Sequence, residues 1–116
     1  IMNIKMEQFI YITKIRHIAT GNTFIKLGYT NDMVRRCNEL INHNTQFEFE
    51  DWQLYKQYNK NTGYRAIETK IHKQNRDYCA NLTKEVMPDG NTECYPAHYE
   101  NWFIAELSRY NFDRIF

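Results

Sequence analysis

Phe9-Ile10-Tyr11-Ile12-Thr13 and Phe24-Ile25-Lys26-Leu27-Gly28-Tyr29 decide how this chain folds. Both runs alternate bulky β-forming residues with polar ones, the period-2 signature of strands. Gly21-Asn22 between them is a turn signal. The second run passes through Gly28 into Asn31-Asp32, a pair of helix N-cap residues, and on into a helix whose first turns carry Arg35 and Arg36. A tyrosine on one strand, a lysine on its hairpin partner and an arginine on the next helix can converge on one small surface. Such a surface suits a phosphate.

The pattern predicts strands at about 8–14 and 23–29, and a helix at about 32–42. That helix would turn Met33, Val34, Cys37, Leu40 and Ile41 to one face. An aromatic strand follows at about 47–57, with Phe47, Phe49, Trp52, Leu54 and Tyr55. A second helix is expected from Thr62, its N-cap, to Asn75, with Ala66, Ile67 and Ile71 inward. Residues 78–90 read as irregular, with Pro88-Asp89-Gly90 the clearest turn. Asn91 to Tyr95 is a candidate short strand. The last helix is expected to begin near Pro96, a favoured first helical position, and to turn Trp102, Phe103, Leu107 and Tyr110 inward. This order predicts an α+β fold, a small central antiparallel sheet of about three strands flanked by helices, in a single domain over 1–116.

Composition limits the function classes. A chain of 116 residues with 42% apolar and 16% aromatic residues supports one folded core. The net charge of +1 gives no bulk basicity, so nucleic-acid binding would have to come from a local cluster of Lys and Arg. No run of eighteen apolar residues and no signal-peptide core are present, which predicts an unexported chain without a membrane span. Cys37, Cys79 and Cys94 match neither a disulfide framework nor a zinc pattern, so a reducing, intracellular compartment is expected. Abundant Asn, Ile, Lys and Tyr are common in AT-rich genomes, among them those of phages and large DNA viruses; a viral chain would work in host cytoplasm or nucleus. Ile1 stands ahead of Met2 and reads as a residue added to the natural start.

The hairpin and first helix resemble the GIY-YIG nuclease superfamily. Ile10-Tyr11 matches the end of its first signature, with Phe9 in the place of the glycine. Lys26-Leu27-Gly28 matches the second, with lysine for its tyrosine, and with Tyr29-Thr30 is similar to the branch named for a phage T5 open reading frame. Arg36 lies eight residues after Gly28, the spacing of the family's helix arginine. Ala66-Ile67-Glu68-Thr69-Lys70-Ile71-His72 resembles the helix that supplies the metal-binding glutamate. Asn91-Thr92-Glu93-Cys94-Tyr95 resembles a Gly-x-Glu-Trp-Phe-like segment near the end of that branch. The resemblance spans about residues 8–107. Each motif is short, and their shared order carries the likeness.

The resemblance implies a Mg²⁺- or Mn²⁺-dependent DNA endonuclease. Hydrolysis of a phosphodiester needs an activated water, a divalent cation on the phosphate oxygens and cationic side chains for the charge that develops. Glu68 would be the oxygen ligand of the metal. Tyr11 would orient or deprotonate the attacking water; a phenol ionises near ~10 in water, so that role calls for a cation such as Lys26 beside it. Lys26 and Arg36 would hold the phosphate. His72, four residues after Glu68 on one helical face, could move a proton to the leaving oxygen or orient the carboxylate. Tyr29, Arg35 and Glu93 stand as candidate substrate contacts.

Each residue also has a plain structural reading. Tyr11 and Tyr29 could be ordinary strand aromatics, and Lys26 could face water. Arg35 and Arg36 point about 100° apart, so one of them at most reaches the site, and Arg35 then is a solvated charge. Glu68 with His72 could be a surface pair, and Glu93 could cap a turn. His17, His43 and His98 show no partner in sequence and read as loop or surface residues. A rival function is a non-catalytic nucleic-acid- or protein-binding module on the same fold; a further one is a structural or host-interaction protein. With no appended DNA-reading segment, targeting would come from the chain's own loops, a dimer mate or a protein partner.

Overall fold

The computed structural model describes residues 7–116, so Ile1 and Met2 lie outside the described residues. Among the described residues, five strands and three α-helices follow one another as β1 (Phe9–His17), β2 (Thr23–Thr30), α1 (Met33–His43), β3 (Phe47–Gln57), α2 (Tyr64–Gln74), β4 (Cys94–Pro96), α3 (Glu100–Arg109) and β5 (Phe112–Arg114). All strand pairs are antiparallel, in the order β4-β2-β1-β3-β5. The α+β class is as expected, but the sheet has five strands rather than about three. β4 and β5 extend the expected core at either edge, each through only three residues paired to a longer neighbour.

Other boundaries moved for local reasons. Asp32 caps α1 as expected, its carboxylate accepting from the Arg35 N–H at 3.1 Å. Gly63 rather than Thr62 precedes α2; it sits at φ +79°, where only glycine is unstrained, and gives no side-chain cap. The last helix begins at Glu100, because Ala97–Tyr99 forms a 3₁₀ turn first. The apolar stripe read on α1 is not a core face: Leu40 is buried, whereas Val34 and Ile41 are exposed. Trp102 and Ala66 also face solvent, while Phe103, Leu107 and Ile71 are buried.

The hairpin register sets the two faces. Tyr11 lies opposite Gly28 and Thr13 opposite Lys26, so all four share one face. Ile10, Ile12, Ile25 and Leu27 take the other, where Tyr64 and Ile71 of α2 and Phe103 and Leu107 of α3 cover them in the main core. A smaller core of Ile15, Phe47, Met87 and Cys94 lies on the Lys26 face, covered by the segment after α2. A bulge opposite Thr13, with Asp51 at φ +52°, brings the Trp52 ring to 5.7 Å from Tyr11.

Candidate active site

Lys26 is the centre of the site. A lysine on a central strand needs a partner, and Lys26 is fully buried with two: its ammonium donates to Tyr11 Oη at 3.1 Å and to Glu93 Oε1 at 2.7 Å. Burial opposes its charge, yet the oxygens of Tyr11 and Glu93 more than offset this and hold its pKa above the ordinary lysine value. Two glycines make room. A Cβ on Gly28 would stand 2.3 Å from the Tyr11 ring, and one on Gly90 2.5 Å from Lys26 Cε.

Glu93 joins this pair to α2. Its other oxygen, Oε2, lies 4.0 Å from His72 Nε2, which is 3.2 Å from Glu68 Oε2. Glu68, His72 and Glu93 each offer one donor atom, all within 4.8 Å of one another. Glu68 occupies the buried side of α2 in line with Tyr64 and Ile71, an unusual place for a carboxylate. Burial raises its pKa above the ordinary glutamate range, and the neighbouring Glu93 adds to this. Burial acts on Glu93 too, but Lys26 outweighs it and keeps Glu93 below the usual value. Burial and Glu93 thus push the Glu68 carboxyl up while Lys26 pulls that of Glu93 down, so the two part in opposite directions.

His72 is fixed from both sides. Nε2 lies 3.1 Å from the Leu27 carbonyl, free at the edge where β4 has ended, and Nδ1 lies 2.7 Å from Tyr95 Oη. Acceptors gather at Nε2, so the neutral ring carries its proton there and Nδ1 accepts from the Tyr95 hydroxyl. Burial keeps that phenol protonated. His72 and Tyr95 also stack, with ring planes 6° apart.

Arg36 reaches the same face from α1, but it is already engaged. Its Nη1 and Nη2 donate to the two Asp89 oxygens, each at 2.8 Å, and Tyr11 interacts with it as well. Asp89 is fixed in turn by buried Asn44, which donates to the Asp89 carbonyl at 2.9 Å and accepts from its N–H at 3.0 Å. The Arg36 fork draws the Asp89 carboxyl down to about 2. His43, read as unpartnered, lies 2.9 Å from Asp89, and His17 lies 2.9 Å from the Thr20 hydroxyl. Pro88-Asp89-Gly90 was visible as a turn, but nothing local marked Asp89 as the mate of Arg36.

Two clefts meet at Glu68, Thr69 and Glu93. One, of about 620 Å³, also takes in His72, Lys73 and Arg76. The other, of about 570 Å³, takes in Tyr29, Arg35, Arg36 and Arg65. Every candidate residue except Tyr11 and Lys26 therefore lines a cleft. Tyr11, 1% exposed, and Lys26 lie behind Glu93. Arg65 had not been singled out in the sequence.

The chain is thus an α+β domain in which a carboxylate–imidazole cluster is backed by a buried lysine. It belongs to the T5orf172 domain family, whose pattern matches residues 8–111. No curated protein and no solved structure gives a significant match.

Proposed function

We propose that the chain is a divalent-metal-dependent DNA endonuclease of GIY-YIG type. The observation that carries this is the meeting of Glu68, His72 and Glu93 within 4.8 Å, directly in front of Lys26 and at the junction of two clefts. Membership of a nuclease-like, DNA-associated family supports it. The donor set fits the cofactor: the carboxylate oxygens of Glu68 and Glu93 suit Mg²⁺ or Mn²⁺, while His72, which turns an N–H toward them, positions the carboxylates rather than ligating the ion. Glu68 would hold the ion, with Glu93 and His72 beside it. When bound, the ion supplies positive charge for the phosphate oxygens.

The chain's own residues have distinct tasks in this reading. Lys26 supplies a fixed buried cation to the phosphate through the Glu93 side of the cleft. Arg36, held by Asp89 and reached also by Glu39 and Tyr11, faces the cleft as a fixed guanidinium and loses little freedom on meeting a phosphate oxygen. Tyr11 accepts from Lys26 and orients the attacking water through its phenol oxygen; acting as the base would require that oxygen to have given up its own proton to solvent first. His72 Nε2–H faces Glu68 and serves the leaving oxygen or steadies that carboxylate. Tyr29 and Arg35 border the approach of the strand.

Incubation of the chain with supercoiled plasmid in Mg²⁺ or Mn²⁺, with EDTA as control, tests the proposal. Nicked or linear product in metal alone is expected. Salt-sensitive DNA binding with no product in either ion overturns it in favour of the binding module.

A further inference from the structure

The exposed side of α2 carries Arg65, Thr69 and Lys73 at i, i+4 and i+8, one stripe along the helix. Arg76, in the turn that follows, continues it. The stripe crosses both clefts: Arg65 lines one, Lys73 and Arg76 the other, and Thr69 lines both. Glu68 and His72 lie on the same helix, rotated toward the sheet, so the stripe runs past the carboxylate cluster.

The basic residues of the stripe differ from the other cations of the site. Lys26 is committed to Glu93, and Arg36 is committed to Asp89. Arg65 and Lys73 are exposed, and among the described residues neither has a hydrogen-bonding or ion-pair partner. Eight residues of α-helix separate them by about 12 Å along the axis. Each strand of a duplex carries one phosphate per ~3.4 Å of duplex axis, so the stripe is long enough to meet more than one of them.

We infer that Arg65 and Lys73 form a backbone track along α2 that seats a DNA strand, Arg65 on one side of the Glu68–Glu93 cluster and Lys73 on the other. This rests on the nucleic-acid reading above but not on catalysis. Thr69, between them, offers a hydroxyl to the same backbone. The track binds phosphates and reads no bases, and it fixes the direction of the strand as parallel to the helix axis.

The test is fluorescence anisotropy of a labelled DNA duplex in EDTA across a salt series. It compares the wild type with Arg65→Gln, Lys73→Gln and, as control, Lys84→Gln, an exposed lysine that lines neither cleft. Arg65→Gln and Lys73→Gln should each lower the slope of log affinity against log salt by about one, at unchanged melting temperature. Lys84→Gln should leave it unchanged. Wild-type slopes in both track variants, an equal loss in Lys84→Gln, or no binding by the wild type overturns the track. Lowered slopes with no plasmid cleavage in metal support the track and overturn the nuclease; cleavage with unchanged slopes does the reverse.

Discussion

Lys26 and Glu93 form a 2.7 Å ion pair in which the ammonium is fully buried and the carboxylate is 29% exposed. The pair ties the hairpin to the segment before β4 and sets Glu93 against Glu68 and His72. Removing one partner leaves a buried charge poorly compensated. Glu93→Ala should therefore cost about 3 kcal/mol in urea unfolding, well above a surface substitution. In a double-mutant cycle with Lys26→Met the two losses should be far from additive.

Gly28→Ala tests the fit of Tyr11. A Cβ there would stand 2.3 Å from the ring, so the ring must shift, and with it the hydroxyl that accepts from Lys26. A loss of about 1–3 kcal/mol is expected in thermal or urea unfolding. Plasmid cleavage should fall by more than the unfolded fraction accounts for. Gly21→Ala is a poor control because Gly21 sits at φ +74°, where any side chain is strained.

Asp89 gives the fold a defined acid response. Its carboxyl is lowered from 3.8 to about 2 by Arg36, a depressed native value. The stabilisation is thus complete above the unfolded value of 3.8 and disappears as pH falls through about 2. About 2 kcal/mol should be lost across that window. In Asp89→Asn the acid-dependent loss in that window should shrink by this amount, measured as urea midpoints against pH.

The hairpin was legible because Phe9–Thr13 and Phe24–Tyr29 alternate cleanly, and because Lys26 interrupts an apolar run where a charge demands a partner. Glu68 and His72 were legible as an i, i+4 pair. The five-stranded sheet was not. Asn91 to Tyr95 reads as a candidate short strand and overlaps Cys94–Pro96, but Phe112–Arg114 had no sign in the sequence: at three residues it is too short to show a period and is a strand only through its pairing with β3. The apolar stripe of α1 misled because this helix is anchored chiefly by Leu40 and by Arg36, not by a continuous core face. Asp89 lies 53 residues from Arg36, and such a pairing has no local signature. Arg65 and Lys73 could have been found from their i, i+8 spacing around Glu68, which places two cations beside a buried carboxylate.

The metal role of Glu68 is decided by plasmid cleavage in Mn²⁺ by Glu68→Ala beside the wild type at matched folded concentration. Glu68 lines both clefts, so truncating it opens onto existing space and the variant should keep its fold by circular dichroism. Metal-dependent product is expected from the wild type and none above background from Glu68→Ala, with DNA binding in EDTA retained. Cleavage by Glu68→Ala at the wild-type rate would contradict that metal role.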